Sequence, residues 1–144
     1  MAPTKWGIAG SGNISFDFVN ALSMLDSSIH KVVAIAARSQ ASAETLANKF
    51  DVPKAYEGYG KLAQDNHVDI VHVGTINPGH LDIVRTMLNA GKHVLCEKPL
   101  GMNVKETKGM IELAREKKVK VKTKRFLDYS IFNFFGTKCQ FKNI

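Results

Sequence analysis

Continuous apolar runs recur along the chain at residues 5–9, 31–37, 69–74 and 93–97, each bounded by glycine, proline or polar turn residues. A strand with one wet face alternates apolar and polar positions, so runs without alternation predict strands buried on both faces. Between them, apolar residues recur at helical spacing over 14–25, 42–50, 59–64, 78–89 and 104–117. Helix ends carry their own marks. Asn103 with Glu106 after it resembles a capping box, and Gly91 after Asn89 and Ala90 suits a left-handed stop. Strands alternating with helices predict parallel βαβ units in right-handed crossovers, hence an α/β chain with an open sheet covered on both faces.

The stretch Trp6-Gly7-Ile8-Ala9-Gly10-Ser11-Gly12-Asn13-Ile14 joins the first predicted strand to the first predicted helix. Gly10 permits a tight turn, and Gly12 lets backbone N–H groups reach a pyrophosphate. Small Ser15 takes the third place of the G-x-G-x-x-G/A pattern. With a strand before it and a helix after it, the loop predicts a Rossmann-type doubly wound parallel sheet holding a dinucleotide. Gly10, Gly12, Asn13 and Ile14 are then expected around its phosphates, at a helix N-terminus. An NAD site usually ends its second strand in Asp or Glu to hold the ribose 2′-hydroxyl. Here the strand ends Ile35-Ala36-Ala37-Arg38-Ser39. A guanidinium with a hydroxyl beside it suits a 2′-phosphate, so the expected cofactor is NADP, held by Arg38 and Ser39.

Composition narrows the class without naming it. At 144 residues, 44% hydrophobic and 23% charged, the chain is about one domain. No apolar run approaches the roughly 20 residues of a membrane span, and no basic-then-apolar leader precedes Trp6, so no membrane segment and a cytoplasmic location are expected. Cys96 and Cys139 have no metal-ligand spacing, and no metal is expected. The net charge of +7 is lopsided: Lys120, Lys122, Lys124, Arg125, Lys138 and Lys142 against Asp128 put +5 in the last 25 residues. Phe126, Tyr129, Phe132, Phe134, Phe135 and Phe141 fall there too.

Gly74-Thr75-Ile76-Asn77-Pro78-Gly79-His80 follows the third run and Cys96-Glu97-Lys98-Pro99 closes the fourth. With the glycine loop before them, these motifs resemble the nucleotide-binding half of the glucose-fructose oxidoreductase and inositol dehydrogenase (Gfo/Idh/MocA) family. The likeness runs from about Lys5 to Val121. Within the family, Arg38, Pro53-Lys54-Ala55-Tyr56 and Val94-Leu95-Cys96-Glu97-Lys98-Pro99 look most like the branch that oxidises trans-dihydrodiols of aromatic hydrocarbons or D-xylose. The resemblance implies hydride transfer between NADP and a hydroxyl-bearing carbon of a cyclic substrate. It makes Lys98 the catalytic residue, near the nicotinamide and assisting proton transfer at the substrate hydroxyl. Thr75, Asn77, Pro78, His80, Glu97 and Lys98 itself become cofactor contacts, with His72 a weaker candidate. Cys96 reads as a buried strand-end thiol, His67 and His93 as surface or strand-edge residues, and His30 as a turn residue.

The likeness stops after Val121, where the family would enter a segment resembling M-E-A-x-W-x-R-F-x-P and then a larger sheet-built domain. The sequence therefore divides into an NADP-binding domain, 1–121, and a divergent basic and aromatic tail, 122–144. No nucleic-acid partner is expected from that tail. The family's homodimer is doubtful without the second domain, and turnover by this chain alone is expected to be low. The rival reading is a non-catalytic NADP-binding protein that modulates a full-length relative.

Overall fold

The computed structural model describes residues 2–123. Six strands, β1 (Thr4–Ala9), β2 (His30–Ala37), β3 (Lys54–Glu57), β4 (Ile70–Val73), β5 (His93–Cys96) and β6 (Val121–Thr123), alternate with five helices. These are α1 (Asn13–Ser23), α2 (Gln40–Lys49), α3 (Tyr59–Gln64), α4 (His80–Asn89) and α5 (Val104–Glu116). One sheet forms in the order β3-β2-β1-β4-β5-β6, and every neighbouring pair is parallel. That is the doubly wound Rossmann order, with the direction of winding reversing between β1 and β4.

Two apolar layers flank the sheet, which is why the strand runs do not alternate. One layer joins Trp6, Ile8, Ile35, Ile70 and Leu95 to Phe18, Val19 and Leu22 of α1 and Leu46 of α2. The other joins Ala9, Ala36, Val71, Val73, Val94 and Cys96 to Leu62 of α3, Val84, Met87 and Leu88 of α4, and Met110 of α5. Register slips between Trp6 and Gly7, leaving Val33 as an extra residue in β2.

Several boundaries differ from the sequence reading for local reasons. The helix expected over 78–89 divides into a 3-10 turn, Asn77–Gly79, which takes Pro78 at its start, and α4 from His80. β3 is only partly buried at the sheet edge, so its Lys-Ala-Tyr-Glu sequence carries no apolar run. Gly91 takes φ 75, as its place after α4 requires. The capping box is half formed: Asn103 Oδ1 accepts the Glu106 N–H at 2.9 Å, while the Glu106 carboxylate accepts from Met102 N–H rather than from Asn103. His30 is not a turn residue but opens β2, where its buried Nδ1 accepts the Trp6 indole N–H at 3.2 Å.

Of the expected tail, Lys122 and Thr123 belong to β6, and residues 124–144, Cys139 among them, lie outside the described residues. Among the described residues no helix is long and apolar enough to cross a membrane, and no group of three or more His, Cys, Asp or Glu could hold a metal ion.

Two imidazoles drawn out of water, buried His30 and half-buried His93, give the fold an acid-sensitive side. Burial, with Lys120 beside it, holds His93 down at about 4, and burial lowers His30 as well. The unfolded chain therefore takes up protons below the ordinary value of 6.5 that the folded chain refuses until about 4. Stability is full above that window and falls as pH drops through it. A midpoint of thermal unfolding about 5 °C lower at pH 5 than at pH 7 is expected by circular dichroism; a flat profile over that range would show that neither ring is held neutral.

Candidate functional site

Parallel strands deliver all their carboxyl ends to one edge of the sheet, and the reversal between β1 and β4 opens a crevice there. The loops after β1, β2, β4 and β5 border it. Gly10, at φ 112, lies against Gly74: a methyl built on it would sit 3.2 Å from the Gly74 carbonyl carbon and oxygen. Backbone and space both demand glycine there. Gly12 is different. Its backbone is extended, at φ −78 and ψ −176, a conformation open to any residue, and a methyl there would meet no atom within 4 Å. Neither conformation nor packing explains it, whereas close approach of an outside group to the backbone does.

Gly12 also begins α1 without a side-chain cap, and the first turn holds no acidic residue. Phe16 N–H makes the first intrahelical bond, to Gly12 O, so the N–H groups of Asn13, Ile14 and Ser15 have no acceptor within the helix. Asn13 and Ile14 are exposed. Ser15 is wholly buried and its hydroxyl has no hydrogen-bond partner.

At the end of β2, exposed Arg38 stands before α2, whose first turn also lacks an acidic residue. Ser39 caps that helix: its hydroxyl accepts Ser42 N–H at 3.2 Å and bonds the Ser42 hydroxyl at 2.8 Å. The half-buried phenol of Tyr59 is near enough to feel Arg38; burial pushes it up and the guanidinium opposes the shift.

Beyond β4, Thr75 Oγ1 and Asn77 Oδ1 are buried with no hydrogen-bond partner, and Pro78 is exposed beside them. Beyond β5, the Glu97 N–H donates to Val73 O, Lys98 is exposed, and the Lys98–Pro99 peptide is cis. The Cys96 thiol is pushed up to about 12 by burial and by Glu97, which makes it inert as a nucleophile at neutral pH.

Two histidines lie behind the surface rather than on it. His80, 1% exposed, places Nε2 2.8 Å from Thr75 O and Nδ1 2.8 Å from Pro99 O; a carbonyl only accepts, so a ring with one N–H bonds one of the two at a time. His72 is 0% exposed, with Nε2 3.0 Å from Glu97 Oε1. Both rings lie behind the residues that border the crevice. An open groove between α4 and α5, lined by Leu81, Arg85, Val104, Lys105, Lys108 and Glu112 among others, contains none of these groups.

The same organisation recurs in known proteins. Residues 4–124 match the model of the Gfo/Idh/MocA oxidoreductase family, NAD-binding Rossmann fold. The chain belongs to this family. Among Gfo/Idh/MocA relatives, trans-1,2-dihydrobenzene-1,2-diol dehydrogenase of Danio rerio is 50% identical over 115 residues, 80% of this chain and 34% of that protein. KijD10 of Actinomadura kijaniata, a 3-ketoreductase solved with TDP-benzene and NADP, superposes with TM-score 0.79 at 30% identity, over 84% of this chain and 38% of that one. An NAD binding oxidoreductase of Klebsiella pneumoniae gives 0.77 at 32% identity, over 85% and 34%. This Gfo/Idh/MocA chain thus spans about a third of the length of the curated relatives it matches.

Proposed function

We propose that the chain is the NADP-binding portion of a dehydrogenase that oxidises a trans-dihydrodiol of an aromatic hydrocarbon, or D-xylose. The observation that carries the cofactor choice is Arg38, which ends β2 where NAD sites place a carboxylate. A guanidinium can grip a phosphate bidentately, and the start of α2, free of acidic residues in its first turn, adds a positive dipole end; the Ser39 hydroxyl is already engaged as its cap. Gly12, Asn13 and Ile14 offer backbone N–H groups to the pyrophosphate, and Gly10, whose own N–H donates to Ala36 O, lets the turn pass close beneath it. Thr75 and Asn77 have buried oxygens in need of partners beside the same crevice. That unsatisfied set, with the space at Gly12, fits a dinucleotide laid from β2 across β1 and β4 to β5.

Bound there, NADP would supply the hydride acceptor. Lys98, exposed at the β5 end, would hold the substrate hydroxyl and move its proton, with Glu97 beside it orienting the ribose or the lysine. Lys98 is the catalytic residue in this reading. The chain spans about a third of the length of its curated relatives, and turnover by the chain alone is expected to be low. Residues 1–123, which include all of β6, would form the binding unit, in a cytoplasmic protein with no nucleic-acid partner.

Titration of the purified chain with NADPH and NADH, followed through the emission of Trp6, its only tryptophan, tests the reading. Saturable binding that favours NADPH is expected; equal affinities would remove the case for Arg38, and no binding would remove the function. The short span relative to its relatives favours one second reading, a non-catalytic NADP-binding protein that modulates a full-length relative. Co-expression with such an enzyme that gave no mixed species and no change in activity would eliminate it.

A further inference from the structure

His72 is an odd tenant of β4. Its strand neighbours Ile70, Val71 and Val73 are wholly buried apolar residues, and Ile70, two positions away on the same face, packs with Trp6, Ile8 and Phe18. An apolar side chain would serve this interior as well, without a polar ring to satisfy. The imidazole is instead confined on several sides. It stacks on Phe18 with ring centroids 3.9 Å apart and planes within 8°. A methyl built on Gly74 would lie 3.0 Å from its Cε1 and 2.5 Å from Ser15 Oγ, so the ring lies directly beneath the turn that meets Gly10. Pairing sets it between Ile8 of β1 and Leu95 of β5.

So confined, the ring has little freedom to turn, and it sends one bond out of the core. A carboxylate only accepts, so the His72 Nε2–H donates to Glu97 Oε1, 3.0 Å away. The Glu97 side chain is 15% exposed, and the next residue is Lys98. The bond therefore runs from the floor of the glycine turn to the mouth of the crevice.

We infer that His72 is a positioning residue for Glu97: it fixes the carboxylate at the β5 end so that Glu97 holds the nicotinamide half of the cofactor, while the adenosine half binds independently of it. This rests on the NADP reading above. The topology separates the two halves, since Arg38 follows β2 and Glu97 follows β5, three strand spacings or about 14 Å apart across the sheet.

The test uses two probes, NADPH and 2′-phosphoadenosine 5′-diphosphate, which ends at the pyrophosphate. Removing a hydrogen bond to a charged group predicts that His72→Phe binds NADPH about tenfold more weakly. Its affinity for the adenosine fragment should stay within about twofold. His72→Gln, which can place an N–H near Nε2, should recover most of the loss. Glu97→Gln should reproduce the selective loss from the other end of the bond, and it supplies the measurement if His72→Phe does not fold. Equal weakening of both probes would make His72 a structural residue and overturn the inference, as would unchanged NADPH binding in His72→Phe and Glu97→Gln. Parent protein that bound neither probe would instead overturn the NADP reading, and this inference with it.

Discussion

Arg38→Asp is expected to reverse the cofactor preference, weakening NADPH about 100-fold, or about 2.7 kcal/mol, while strengthening NADH. The loss has two parts. A bidentate charge-assisted contact disappears, and a carboxylate then faces a phosphate that carries close to two negative charges. The gain for NADH follows because an aspartate at the end of β2 can accept from a ribose 2′-hydroxyl. Arg38 is exposed, so the melting temperature should hardly move. Isothermal titration with both dinucleotides measures the ratio; a variant with its parent's ratio would remove Arg38 from the site.

Phe18→Ala is expected to cost about 4 kcal/mol of stability. Phe18 is 1% exposed and joins α1 to the sheet, meeting the Trp6 ring edge-on at 5.2 Å and the His72 ring face-on at 3.9 Å. Few neighbours could relax into the space it would leave, because the rings beside it are held by the Trp6–His30 and His72–Glu97 bonds. A domain of this size has only about 5–15 kcal/mol in total, so the variant should unfold at much lower urea. Trp6 reports the transition from within the same cluster. A loss under about 1 kcal/mol would mean that α1 is seated by other contacts.

How much of this was legible in the sequence depended on whether a residue's role is local. β1, β2, β4 and β5 stand out because a strand covered on both faces must be apolar along its whole length, and Gly10 and Gly12 because a turn at a strand end draws on neighbouring residues. β3 was not legible by pattern: an edge strand is half wet, and Lys54-Ala55-Tyr56-Glu57 is polar enough to pass for a loop. His30 follows a run of turn residues, and only the pairing of Thr4 with His30 across β1 and β2 shows that it receives the Trp6 indole.

The site divides the same way. The glycine loop, Arg38 and Lys98 could be named because each belongs to a short motif or to a strand end. The partnership of His72 with Glu97 spans 25 residues and exists only once β4 and β5 lie side by side. A polar residue inside an apolar run was the signal available, and it said that His72 had a partner without saying which. Asn77 and Thr75 could be placed beside the crevice, but their unpaired oxygens are a property of the folded turn.

One further consequence lies in His80. Its ring nitrogens lie 2.8 Å from Thr75 O and from Pro99 O, so it sits between the turn that follows β4 and the turn that follows β5. A shift of either turn alone would disturb the buried ring between them, so Asn77 after β4 and Lys98 after β5 are linked through His80. On the proposed NADP reading, a dinucleotide seated against the first turn would be felt at the second, and at its amine, before any substrate arrives.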